Sequence, residues 1–242
     1  MDISGSSWLI TGGGRGLGRA VALAAASAGA RVVVVARTAS ETQEVVGAIL
    51  AEGGTAFAIA ADVADKDRTH AIAGEAAALV GPIDVLVHAA STLGPVPLVP
   101  VLDTACEDLE RALLVNVIGA HRLTKAVAPS MLLRRRGVVV HVSSDAATEA
   151  YPTWGAYGAS KAAFEVLART LAGETEGSGL RSIVVDPGEM DTKMHADAIP
   201  DADRAALARP GEVAKKLLAV VRDEALAPSG ARVVLANVAV TR

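Results

Sequence analysis

The chain has 242 residues, a formal charge of −4 and 51 % hydrophobic residues but only 2 % aromatics, so a sizeable core has to be built from Ala, Val, Leu and Ile. The acidic balance leaves no basic field for nucleic acid, and residues 85–102, though uncharged, are broken by Gly94, Pro95, Pro97 and Pro100 and do not read as a membrane span. Cys106 is the only cysteine, which excludes an internal disulfide and a cysteine metal cluster; with no basic leader at the N-terminus, the expected compartment is the cytoplasm.

Taken in order, residues 7–10 read as a short buried strand, followed by the glycine loop 11–18 and an Ala-rich helix over 19–28. Residues 31–36, with four consecutive valines, form the next strand, and strand, glycine loop, helix, strand is a βαβ unit. The alternation continues with a helix at 40–51, a strand at 55–60, a helix at 66–79 and a strand at 83–88. Then come a long helix over 103–133, a strand at 138–142, the helix carrying Lys161, a strand at 181–185, a helix at 211–224 and a last strand at 231–236. Strands without polar alternation, each followed by a helix, predict a parallel sheet of seven strands covered on both faces. The expected fold is a doubly wound α/β domain spanning 1–242. Ligands in such sheets bind beyond the carboxyl ends of the strands, so the irregular stretches 91–101 and 187–210 are expected to wall a pocket.

Three side chains carry the chemistry. Tyr157 and Lys161 are four apart on a helical segment and share its face. A free phenol titrates near about 10, and a neighbouring ammonium is expected to bring it toward the working range, so Tyr157 reads as an acid/base group. Ser144, just past the strand 138–142, is placed to hydrogen-bond the same substrate oxygen, whereas Ser143 points to the other face of the strand. The spacing of Gly12, Gly16 and Gly18 at the strand-to-helix turn suits backbone donors meeting a pyrophosphate. Asp62, followed by Val63, would lie near an adenine or cap the following helix. His88 reads as a structural residue, and His70, His121, His141 and His195 show no ligand spacing with one another, so no catalytic metal is expected.

These residues together resemble the short-chain dehydrogenase/reductases, in the short single-domain branch. The resemblance rests on T-G-G-G-R-G-L-G at 11–18, Asp62, Asn116 within L-L-V-N-V-I-G, Ser144, Y-G-A-S-K at 157–161 and D-P-G-E-M-D-T at 186–192. It covers essentially the whole chain. It implies that Tyr157 is the acid/base, that Lys161 lowers its pKa and holds the nicotinamide ribose, and that Ser144 binds the carbonyl oxygen. Asn116 would hold a proton-relaying water. Gly12, Gly14, Arg15, Gly16, Leu17, Gly18, Val63, Ala89 and Ala90 would line the dinucleotide site. Pro187 and Gly188 would lie against the nicotinamide, with Met190 beside them and Thr192 reaching its carboxamide or the pyrophosphate. One departure stands out. Where the family usually shows N-N-A-G, this chain has His88-Ala89-Ala90-Ser91, which removes two amides that tie the central strands and puts local rigidity in question. The chain end, 235–242, also lacks the usual V-D-G-G.

The strand at 31–36 ends without a carboxylate, and Arg37 and Thr38 follow it, with Arg15 expected in the same corner. Two guanidinium groups suit a 2′-phosphate, which predicts NADP(H) as the cofactor, with a preference of at least about a hundredfold over NADH. The expected reaction is reduction of a small ketone or aldehyde, or oxidation of the alcohol, in a partly apolar pocket formed by Leu93, Val96, Trp154, Met190, Met194 and Ile199. Two alternatives stand beside it. One is 3-oxoacyl-carrier-protein reduction, with Arg134, Arg135 and Arg136 meeting an acidic carrier unless they cover a helix C-terminus; the other is a non-catalytic dinucleotide sensor. The helices over 103–133 and 159–172 carry surplus apolar surface, and in the family they pair across a two-fold axis, which implies a homodimer or homotetramer.

Overall fold

A computed structural model describes residues 1–239; the last three residues of the chain end lie outside them. The strands β1 (Ser7–Thr11), β2 (Arg31–Ala36), β3 (Thr55–Ala60), β4 (Val85–His88), β5 (Gly137–Val142), β6 (Leu180–Asp186) and β7 (Arg232–Val234) form one sheet in the order β3-β2-β1-β4-β5-β6-β7. All its pairs are parallel. Alternate side chains of each strand enter opposite cores. Trp8, Ile10, Val32 and Val34 pack with the helices α1 (Gly16–Ser27), α2 (Ala39–Ala51) and α8 (Pro210–Arg222). Leu9, Val33 and Val35 pack with α3 (Arg68–Val80) and α5 (Ala120–Arg134). Both faces are therefore covered, which is why these strands read as continuous apolar runs.

The predicted helix over 103–133 is a helical path that starts at Cys106. It runs through α4 (Cys106–Leu113), a wider π-turn at Leu114–Gly119 and α5. The π-turn sits against the end of β3: a Cβ at Gly119 would stand 2.4 Å from the Val63 carbonyl. The second irregular stretch contains a short helix, α7 (Lys193–Ala198), and the last strand closes at Val234 in a 3₁₀ turn rather than continuing to 236. Among the described residues no helix is long and apolar enough to cross a membrane.

The arginine cluster at 134–136 lies at the amino end of β4, opposite the carboxyl edge where ligands bind in such sheets. Arg134 donates to Asp84 at 2.7 Å and to the Ile83 carbonyl at 2.5 Å, Arg136 stands 3.5 Å from the same carboxylate, and Arg135 closes α5 in the left-handed conformation. These arginines tie a helix end to a strand start, so they do not serve the carrier reading.

Candidate active site

The order in which the chain adds strands reverses between β1 and β4, and the loops beyond these strands leave a crevice. Its floor at one end is the glycine loop. Gly12 has φ of +66° and lies so close to the 89–90 turn that a Cβ would be 2.6 Å from the Ala90 amide nitrogen, so only glycine fits. Helix α1 opens at Arg15 without a side-chain cap and with no acid in its first turn, leaving its leading amides and its dipole to an anion. Gly14, Gly16, Leu17, Gly18, Arg15, Arg37, Thr38, Asp62, Val63, Ala89, Ala90, Tyr157, Lys161, Pro187, Met190 and Thr192 all line this groove, together with Gly12. Gly188 falls instead in the adjoining cavity.

Two of these residues are engaged in ways the sequence reading did not anticipate. Asp62 forms a turn with the Ala64 amide (2.9 Å) and an ion pair with Arg111 (3.0 Å), and α3 begins beyond it, so it caps no helix. Burial pushes its carboxyl up, but the Ala64 amide and the Arg111 and Arg37 charges outweigh this and hold it below its ordinary value. Thr192 accepts from the His195 amide (3.2 Å) and so caps α7 while facing the groove. Sequence reasoning also missed Glu41. Its Oε2 would stand 3.0 Å from a Cβ at Gly14, which puts a carboxylate in the corner assigned to Arg15 and Arg37.

Tyr157 stands where the groove meets the second cavity and lines both. Helix α6 (Gly155–Glu174) brings it there, and Gly158 permits the approach, because a Cβ at that position would be 2.7 Å from the Ala146 carbonyl. That closeness sets the Tyr157 hydroxyl beside Ser144. Burial pushes the phenol up to about 12, the Asp145 and Asp186 charges add to this, and the neighbouring Ser144 and Ser91 hydroxyls pull the other way. The expectation that Lys161 brings the phenol down is therefore corrected. Its Nζ is 5.5 Å from the ring centroid and donates to the Val142 carbonyl at 2.9 Å, and burial lowers its own pKa to about 8. Desolvation is the largest cause, so the resting phenol is protonated.

Asn116 is fully committed in the π-turn. Its amide nitrogen donates to the Thr92 carbonyl (2.9 Å) and Ser160 Oγ (2.8 Å), and its oxygen accepts from the Thr92 amide (2.8 Å) and Ser91 Oγ (3.2 Å). The side chain thus anchors the loop after β4 to α6, and the water-holding role implied by the resemblance finds no free side-chain donor. Ser91 was not singled out in the sequence, and only the fold brings it to Tyr157.

Behind Ser144 lies an ion network. Ser143, expected to turn away, lies on the lining of both the groove and the second cavity and donates to Glu165 Oε1 at 2.6 Å. Arg232 reaches from β7 to Glu165 (2.9 Å), Asp186 (3.0 Å) and the Ser144 carbonyl (3.1 Å). Burial would lower the Arg232 guanidinium, but Glu165 and Asp186 raise it, so the cation is secure.

The second cavity, about 230 Å³, is walled by Leu93, Trp154, Met190, Met194, Ala198 and Ile199, with Asp145, Tyr151, Glu189 and His195 also on its lining. Val96, expected here, is 46 % exposed and does not line it.

A doubly wound parallel sheet with a glycine-lined groove at its switch point defines a nucleotide-binding α/β protein. The chain belongs to the short-chain dehydrogenase family: residues 7–203 match the family model described as short chain dehydrogenase. A short chain dehydrogenase of Pseudocercospora fijiensis is 40 % identical over 208 residues, 84 % of this chain and 66 % of that one, so the chain spans just under two thirds of that relative. A solved 7α-hydroxysteroid dehydrogenase complexed with NADH and 7-oxo glycochenodeoxycholic acid superposes with a TM-score of 0.86 at 28 % identity, covering 96 % of this chain and 93 % of that one. A short chain dehydrogenase from Burkholderia cenocepacia in complex with NADP gives a TM-score of 0.84 at 28 % identity, with 97 % of each chain covered.

Proposed function

We propose that the protein, read as one dinucleotide-binding domain of the cytoplasm, is an NADPH-dependent oxidoreductase that reduces a ketone or aldehyde to an alcohol, or runs the reverse. The observation that carries this reading is the place of Tyr157: a protonated phenol shared by a glycine-floored groove and an apolar cavity, with Ser144 at its oxygen. The groove fits a dinucleotide because Gly12 admits the chain only without a Cβ and the start of α1 is uncapped. When bound, the nicotinamide supplies the hydride. Gly16, Leu17 and Gly18 would hold the pyrophosphate, Arg15, Arg37 and Thr38 the ribose phosphate, and Lys161 the nicotinamide ribose. Ser144 orients the substrate oxygen, and Tyr157 gives it a proton as the alkoxide forms. A phenol that burial keeps protonated suits the reducing direction. Neighbours in the family bind either NADH or NADP, and the two arginines favour the phosphorylated cofactor.

Tyr157→Phe keeps the ring and removes the proton. Turnover is expected to fall by at least about a hundredfold while the cofactor dissociation constant moves less than about twofold. A variant keeping more than about a tenth of the rate would mean that another group is the acid. The outer faces of the 106–134 helix and of α6 expose Ile118 (40 %), Val166 (54 %) and Leu167 (39 %), and we assign them to a homodimer or homotetramer contact. Light scattering at micromolar concentration should give a multiple of 24.5 kDa, and a monomer mass would count against that contact.

A further inference from the structure

The charge of the second cavity has a consequence for the substrate. Its lining includes two carboxylates, Asp145 and Glu189, one imidazole, His195, and no lysine or arginine. The cations around it are already engaged: Lys161, 5.5 Å from the Tyr157 ring, donates to the Val142 carbonyl, Lys193 is 2.7 Å from Asp197, Arg204 is 2.7 Å from Asp191, and Arg232 is held by Glu165 and Asp186. Asp145 is fixed in place, accepting from Ser144 Oγ (2.9 Å), the Ala146 amide (2.9 Å) and the Tyr151 hydroxyl (2.9 Å). Glu189 is 3.7 Å from His195 Nε2, a buried nitrogen with no hydrogen-bond partner among the described residues. The field is felt on the wall itself: the hydrogen bond to Asp145, then burial, then the charges of Asp145, Glu149 and Glu189 push the Tyr151 phenol up. Tyr151 and Trp154 add aromatic faces, and such faces attract cations.

Resting on the reductase reading, we propose that this cavity, with Asp145, Glu189, Tyr151 and Trp154 around an apolar floor, selects carbonyl compounds and alcohols that carry a cationic amine or quaternary ammonium. It turns away carboxylates, phosphates and acyl groups on acidic carriers. The amine takes no part in bond making: the carbonyl carbon gains the hydride from NADPH, its oxygen gains the Tyr157 proton, and the remote charge is unchanged. An anion here meets two like charges with no lysine or arginine on the wall, whereas a cation meets two opposite ones. Asp145 and Glu189 both face solvent, Glu189 with 68 % of its side chain exposed, so this selection is open to screening by salt.

The test is a set of three ketones on one apolar frame, ending in trimethylammonium, tert-butyl or carboxylate. Binding to the NADPH-saturated enzyme is measured by calorimetry, and reduction by NADPH oxidation. The cation is expected to exceed the neutral compound, and the neutral compound the anion, by about tenfold each in affinity and kcat/KM at low salt. Both steps should shrink at 0.5 M salt, roughly a Debye length of 4 Å. Glu189→Gln should lower the cation-to-neutral ratio by about threefold or more, and Asp145→Asn should do the same. Reading a ratio within each variant cancels any general loss of rate. Equal affinity for all three, or a ratio unmoved by both substitutions, would overturn the assignment. Ranked binding without turnover would uphold the charge selection and sink the reductase reading, and turnover of all three at equal kcat/KM would do the reverse.

Discussion

Arg232→Met puts the network behind Ser144 to the test. The guanidinium is 22 % exposed, and it neutralises Glu165 and Asp186, whose side chains are only 2 % and 6 % exposed. Methionine keeps most of the stem volume and removes the charge, leaving Asp186 with the Gly188 amide (3.0 Å) and Glu165 with Ser143 and the half-exposed Arg169 (3.2 Å). Removing one partner of a buried pair costs about 3–5 kcal/mol because the other charge stays buried. The surviving Arg169 contact places this case near the lower end, about 3 kcal/mol. For a chain of this length each kcal/mol moves the midpoint by about 2–4 °C, so calorimetry should show Tm lower by roughly 6–12 °C. The Ser144 carbonyl also loses its donor, so kcat should fall more than cofactor affinity does. Arg232→Lys, which restores the charge with a shorter reach and no fork, should recover part of the Tm and less of the kcat. A loss under about 2 °C with Met would refute the reasoning, since it would mean that Arg169 and the serine suffice to hold the two carboxylates.

Two further outcomes follow from the groove. Glu41 opposes the phosphate that Arg15 and Arg37 attract, which trims the expected NADPH preference in kcat/KM from about a hundredfold to about tenfold at low salt, each charge counting for roughly tenfold. Glu41→Gln should raise it again, Ala36→Asp with Arg37→Ile should reverse it, and equal use of NADPH and NADH by the wild type would show that neither arginine reaches the ribose. Because burial lowers Lys161 to about 8, NADPH affinity should weaken between pH 7 and 9.5 as the ammonium deprotonates, and a flat fluorescence titration would mean that it does not hold the ribose. For stability the sign is opposite: the unfolded chain binds this proton up to an ordinary value of 10.5, so burying Lys161 disfavours folding below about pH 8, and the penalty lifts as pH rises from about 8 to 10.5.

Most of the sheet was legible because its strands, buried on both faces, are unbroken apolar runs, and the glycine loop and the Tyr157–Lys161 spacing are local patterns. What the sequence did not disclose lies in contacts between distant segments. Arg232 and Glu165 are 67 residues apart and Arg232 and Ser144 are 88 apart, so no periodicity links them; each reads alone as an ordinary charge on a strand or helix. Glu41 looks like a first-turn acid of α2 until Gly14 is seen beside it. The phenol's environment was misjudged for a related reason: spacing reports that an ammonium is near, while desolvation depends on the 157–161 turn lying beneath the loops after β4, β5 and β6.

The missing family amides at the end of β4 have a physical replacement. His88 and His141 sit opposite one another in the β4–β5 register, with ring centroids 5.5 Å apart. His88 Nε2 meets Thr124 Oγ1 on α5 at 2.8 Å, and His141 Nε2 meets Ser182 Oγ on β6 at 3.1 Å, so the two rings tie the central strands to their neighbours. Ser182 spends its proton on the Ala168 carbonyl, which leaves its oxygen to accept and assigns the His141 proton to Nε2. The unpartnered Nδ1 is then a lone pair and not a stranded donor, the less costly of the two to bury. Burial and then the Lys161 charge hold His88 down to about 3, and burial and then His88 hold His141 well below its ordinary value. Both rings therefore stay neutral at physiological pH. That neutrality matters because a further cation beside Lys161 would drive its already lowered ammonium toward deprotonation and strip the charge from its hydrogen bond to the Val142 carbonyl. Imidazoles can stand in for amides here because the same burial that depresses Lys161 keeps them uncharged.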